Sequence, residues 1–92
     1  MNRTDYDKVI ERAVEIQKEW RNIPAPGRGD LIRVFGNELR DVIMPIGNAI
    51  MKDAKKIRAE AVGEVQEAID MCDFAVGLSR QLYGLTIQSE RP

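Results

Sequence analysis

The sequence predicts an all-α chain of three to four amphipathic helices with a short extended tail. Three observations predict it. From Arg58 to Gly84 apolar residues recur at spacings of three and four without a proline, the period of a helix with one apolar face. Prolines elsewhere sit where such stretches must stop or start, at Pro24, Pro26 and Pro45. Finally, 43% hydrophobic and 32% charged residues suit a soluble helical protein rather than a disordered one.

The first helix is expected over about 5–21. Thr4 or Asp5 can cap it, and acids in its first turn meet the positive end of the helix dipole. Val9, Ala13, Ile16 and Trp20 form its stripe, flanked by Ile10 and Val14. Asn22 to Gly27 then reads as a turn, because two prolines in three residues remove donors and push their predecessors out of helical geometry.

A second helix, about 28–43, carries Leu31, Val34, Phe35, Leu39 and Val42 on one side. Gly36 weakens it by about 1 kcal/mol relative to alanine. Pro45 suits the first turn of a third helix, about 45–55, with Ile46, Ala49, Ile50 and Ala54 inward. From Asp53 to Arg58 there is neither glycine nor proline, so helices three and four could run together. A single helix over 45–83 would far exceed the average length, so a bend is expected.

The fourth helix, about 58–83, is the longest. Ala61, Val65, Ala68, Cys72, Ala75 and Ser79 repeat along it, as do Val62, Val65 and Ile69, with Leu82 and Tyr83 continuing the stripe. Gly84 is the residue type that ends a helix in a left-handed conformation. Gly63 and Gly77, fourteen residues apart and so roughly on one side, are expected to admit another backbone. Leu85-Thr86-Ile87 reads as a short strand or extended tail, and Ser89 to Pro92 as disordered.

With 92 residues the chain forms one domain at most, and its small size predicts modest stability without a partner. The net charge of −1 comes from acids and bases mixed along the chain, which gives no basic block to track nucleic acid. No histidine is present, so imidazole catalysis and ligation are excluded. The single cysteine excludes an internal disulfide and a cysteine-cluster zinc site. A reducing, cytoplasmic setting is expected. The N-terminus has no apolar signal core, and no apolar run reaches the length of a membrane span.

Few residues suggest chemistry. Cys72 lies among Asp70, Asp73 and apolar neighbours, which disfavour a thiolate, so a packed core cysteine accounts for it better than a nucleophile. Glu60, Glu64 and Glu67 share a helix face by their spacing of four and three. Such carboxylates can do acid–base work or bind a hard cation, and a solvated face explains them as well. Gly27-Arg28-Gly29 opens a helix and could cradle an anion, but it lacks the spacing and preceding strand of a dinucleotide loop. Trp20 and Phe35 read as core anchors.

The residues resemble a known family. Trp20-Arg21-Asn22-Ile23-Pro24-Ala25-Pro26-Gly27-Arg28-Gly29 resembles the W-R-x-x-P-A-P-x-R-G stretch near the start of NAD(P)-dependent aldehyde dehydrogenases. Three further stretches are similar to the antiquitin-like branch, the α-aminoadipate semialdehyde dehydrogenases. These are Gly63 to Glu67, Cys72 to Arg80, and Ser89 to Pro92. The resemblance covers about residues 5–92. It departs at Met51 to Ile57, where relatives carry a Glu-x-Gly-Lys-like segment whose glycine separates two helices.

The resemblance implies that these helices belong to an α/β cofactor-binding domain and precede its main dinucleotide-binding strands. In that family a cysteine attacks the aldehyde, hydride passes to NAD(P), and a glutamate activates the water that releases the product. Cys72 does not match the nucleophile's motif. The helix at 58–83 would line the substrate channel, with Glu67, and less readily Glu64, meeting a substrate amino group. No catalytic, metal or cofactor-binding residue is implied within 1–92. The chain is therefore expected to be a truncated helical part of such an enzyme, inactive alone, whose partner is the remainder of the enzyme or further copies of itself. The rival is a stand-alone helical interaction module, whose uncovered apolar faces would need a new partner.

Overall fold

The computed structural model describes residues 1–84, and these are all-α. Four helices follow in order: α1 (Arg3–Trp20), α2 (Ala25–Asp41), α3 (Ile43–Ala54) and α4 (Arg58–Leu78). The expectations for 85–92 lie outside the described residues.

Local chemistry accounts for each start and stop. Asn2, rather than Thr4 or Asp5, caps α1: its side chain accepts from the Asp5 N–H, and the Asp5 side chain accepts from the Asn2 N–H. This reciprocal box starts the helix two residues earlier than expected. α2 also starts earlier, because Ala25 and Pro26 enter its first turn, where proline's missing N–H is no loss. The break between α1 and α2 is thus only Arg21 to Pro24. Likewise Pro45 falls inside the first turn of α3, and a single non-helical residue, Val42, separates it from α2.

The bend expected between the third and fourth helices is a full break at Lys55-Lys56-Ile57. Lys55 takes the left-handed conformation, φ 55° and ψ 41°, a geometry that costs a non-glycine residue about 1–2 kcal/mol. α4 stops at Leu78, short of the expected 83. Gly84 has a positive φ of 81°, but a turn at Leu82 and Tyr83 precedes it, so it does not end the helix directly.

α4 is the axis of the packing. A Cβ at Gly29 would lie 2.4 Å from Ser79 Oγ, one at Gly36 3.0 Å from Cys72 Cβ, and one at Gly47 2.9 Å from Val62 Cγ2. Rising numbers on α2 and α3 meet falling numbers on α4, so the pairing is antiparallel. Gly29 and Gly36 are seven residues apart, as are Cys72 and Ser79, and the matched repeat keeps both helices in register at the crossing. The buried core is Ala61, Val65, Ile69 and Cys72, all on α4.

Two expectations are reversed here. Gly63 and Gly77 have nothing within 4 Å of an added Cβ, whereas Gly29, Gly36 and Gly47 are the points of close approach. On α2, Leu31, Val34 and Phe35 lie opposite the glycine edge and are about half exposed, so Phe35 is not a core anchor. The reason is shared: α4 packs on the edge of α2 that permits the nearest approach, and this leaves the larger apolar edge outward.

α1 buries no residue. Only Trp20 at its end is partly covered, beside an open cleft of about 270 Å³ between the end of α1, the start of α2 and the end of α4. The radius of gyration is 18.3 Å, against about 12 Å for a self-contained domain of this length. The accessible surface is 7890 Å², against about 5,400 Å² for a folded monomer of this mass. These helices hide much less of themselves than an independent domain does.

Candidate functional site

The acids of α4 form the one constellation that the sequence and the helix geometry both single out. Glu60 stands in the first turn, where the helix dipole favours a negative charge. Glu64 pairs with Lys56, whose ammonium donates to Glu64 Oε1 from the break before the helix. The Glu64 carboxylate, first as hydrogen-bond acceptor and then by its charge, holds the Lys56 pKa above its usual 10.5; burial opposes this and Glu60 adds to it. Asp70 accepts from Gln66 Nε2 at 2.9 Å. Asp73 pairs with Arg40 of α2 at 2.5 Å, and the same guanidinium donates to Asn37 on its own helix at 2.7 Å.

Glu67 differs from Glu64, Asp70 and Asp73, but not from Glu60, which likewise makes no side-chain hydrogen bond or ion pair among the described residues. Glu67 has neither an ion pair nor a side-chain hydrogen bond among them. It lies two residues after Val65 and two before Ile69, both buried, which puts it on the opposite side of the helix at 3.6 residues per turn. Met71 and Phe74, four and seven residues on, share that side and are more than half exposed. An unpaired carboxylate therefore heads an outward apolar strip. Such a surface suits a ligand with an ammonium at one end and a hydrocarbon body.

The remaining candidates resolve as structural groups. Cys72 is buried and unbridged, packed against Gly36. Arg28 donates to the backbone oxygens of Ile23 at 2.7 Å and Arg21 at 3.4 Å, so it holds the α1–α2 turn together. Gly29 is spent on the Ser79 contact. These residues offer no dinucleotide cradle: Gly29 is buried against Ser79 and Arg28 is turned onto the loop carbonyls, which leaves only Gly27 exposed in the first turn of α2. Among the described residues no group of three acids, cysteines or histidines gathers to hold a metal. No described helix is long and apolar enough to cross a membrane.

Sequence reasoning missed the Lys56–Glu64 and Arg40–Asp73 pairs. The first spans eight residues across a boundary that the sequence left open. The second joins residues 33 apart, and no local pattern marks it.

The aldehyde dehydrogenase family model matches residues 1–92. The chain belongs to the aldehyde dehydrogenase family. It is 50% identical over 88 residues to an aldehyde dehydrogenase family 7 member A1 of Pisum sativum, covering 96% of this chain and 17% of that relative. To the alpha-aminoadipic semialdehyde dehydrogenase of Bos taurus it is 46% identical, covering 96% of this chain and 16% of the relative. A putative family 7 member A1 homolog of Caenorhabditis elegans is 44% identical over 91 residues, which are 99% of this chain and 17% of the relative. The chain thus spans about a sixth of the length of these curated relatives. The antiquitin-like resemblance of the sequence and these relatives agree.

Proposed function

We propose that these residues form part of the substrate-channel wall of an aldehyde dehydrogenase that oxidises an amino-bearing semialdehyde with NAD(P). In this reading Glu67 receives the substrate's ammonium group, and Met71 and Phe74 lie along its hydrocarbon chain. The observation that carries it is Glu67 itself: an unpaired, outward carboxylate on the helix where relatives named for aminoadipic semialdehyde match this chain.

The cofactor supplies the hydride acceptor in such an enzyme. What these residues contribute is binding and orientation: a carboxylate at a fixed height on a rigid helix sets where the amino end of the substrate rests. Residues 1–92 alone neither bind NAD(P) nor oxidise an aldehyde. Cys72 is packed in the core, and its sequence context does not match the family's nucleophile motif. The large uncovered apolar faces of α1 and α2 are met by the remainder of the enzyme and not by a helical module of their own.

Two measurements test this. The purified chain is mixed with NAD and aminoadipate semialdehyde, and NADH absorbance is followed; turnover above a no-protein blank refutes inactivity of the isolated residues. For the site, residues 1–92 replace the matching segment of the pea relative. In that chimera Glu67→Gln should raise KM for the amino-semialdehyde by about tenfold or more, the worth of a charged hydrogen bond. It should leave propanal oxidation nearly unchanged. An equal effect on both aldehydes sinks the assignment.

A further inference from the structure

We infer that Arg28 is a clamp that sets the direction of α1, an arm that packing scarcely holds. This is independent of the reading of Glu67. α1 buries none of its residues, and Val9, Ile10, Val14 and Ile16 along it are about half exposed. Its one partly covered residue is Trp20, at the very end, beside a cleft that is itself open. A helix so placed swings as a rigid body unless its connection is stiff. Apolar burial supplies little of that stiffness, because it scales with the area hidden from water.

The connection has few free angles. A proline ring fixes φ near about −65°; Pro24 stands at −53°, and α2 is regular from Ala25 onward. The swivel is therefore confined to Arg21, Asn22 and Ile23. Arg28 spans this stretch. Its Nη1 donates to the Ile23 carbonyl at 2.7 Å and to the Arg21 carbonyl at 3.4 Å, so a guanidinium anchored on α2 holds the two peptide groups that bracket Asn22 and Ile23. Its charge also lies at the C-terminal end of α1, where unpaired carbonyls and the helix dipole favour a cation. Ile23 Cγ2 rests against Gly27, 3.1 Å from where a Cβ would stand, and this close fold keeps the carbonyls within reach. The backbone bonds from Arg21 to Gln17, Asn22 to Glu19 and Ile23 to Trp20 wind the end of α1 but touch no part of α2. Among the described residues no other side-chain hydrogen bond joins α1 or its turn to α2.

The test is made on the whole chain by NMR in a weakly aligning medium, with helicity and thermal midpoint read by circular dichroism. In the wild-type chain the backbone N–H residual dipolar couplings of α1 should fit the same alignment as those of α2 and α4. In Arg28→Gln the α1 couplings should shrink by about a third or more, the span between a rigid and a flexible backbone, while helicity and midpoint stay nearly unchanged. Arg28→Lys keeps a charged donor on a single nitrogen and should lie between the two. Trp20→Ala removes the one partly covered side chain of α1 and should disturb the couplings less than Arg28→Gln. Couplings of α1 outside the common alignment in the wild-type chain overturn the inference. So do couplings unmoved by Arg28→Gln, or moved as much by Trp20→Ala. A midpoint that falls in step with the couplings overturns it too, because Arg28 would then belong to the packed body rather than clamp an arm to it.

Discussion

Replacing Gly29 and Gly63 by alanine should move stability in opposite directions, though both lie inside helices. A Cβ at Gly29 would stand 2.4 Å from Ser79 Oγ and 2.9 Å from Ser79 Cβ. Rotating the hydroxyl away gives up its 2.6 Å bond to the Val76 carbonyl and still leaves the two Cβ atoms about half an ångström too close. The helices must therefore part. Overpacking of this kind costs about 1–3 kcal/mol, and the better helix propensity of alanine returns up to about 1 kcal/mol. The net loss is up to about 2 kcal/mol. Nothing lies within 4 Å of an added Cβ at Gly63, so Gly63→Ala keeps the propensity gain and stabilises by about 1 kcal/mol. Thermal unfolding followed by circular dichroism at 222 nm reads both variants. For a chain of this size a difference of about 1–3 kcal/mol separates the two midpoints by roughly 4–24 °C. A Gly29→Ala midpoint equal to or above that of Gly63→Ala would refute the assignment of the close crossing to the Gly29 edge of α2.

Lys55→Gly should raise the urea midpoint by an amount equivalent to about 1 kcal/mol, because glycine adopts the left-handed conformation of residue 55 without the steric cost; an unchanged or lower midpoint would count against the break. Ile69 is fully buried, so Ile69→Ala should cost about 2–5 kcal/mol in the same titration; a loss below about 1 kcal/mol would mean that α4 is not the centre of the core. The Lys56 pKa is raised by Glu64, so whatever the pair contributes is fully present below the ordinary lysine pKa and is lost as pH rises through the raised one. In Glu64→Gln the Lys56 titration, read from its Nζ resonance, should fall back toward the ordinary value; an unchanged midpoint would show that the two groups do not meet in solution.

The sequence by itself determined that the chain is helical, in three to four amphipathic stretches of approximate limits, and the face on which Glu60, Glu64 and Glu67 stand. These follow from interactions within a turn or two: the recurrence of apolar residues, the proline ring in a first turn, a capping side chain three residues from its donor. The same locality explains the boundary errors. Asn2 and Thr4 are both capping types, and only the Asp5 reply distinguishes them. It was also through its motifs that the sequence disclosed the family. Which edges meet was decided by the tertiary structure. Leu31, Val34 and Phe35 read as a core face by periodicity alone, yet α4 packs against Gly29 and Gly36, where the backbones come nearest. The distinction between Glu64 and Glu67 was likewise invisible in the chain, because it depends on a lysine beyond the helix and on a left-handed residue that no glycine announces. Periodicity says which residues share a side of a helix; only the packing of one helix on another says which side is covered.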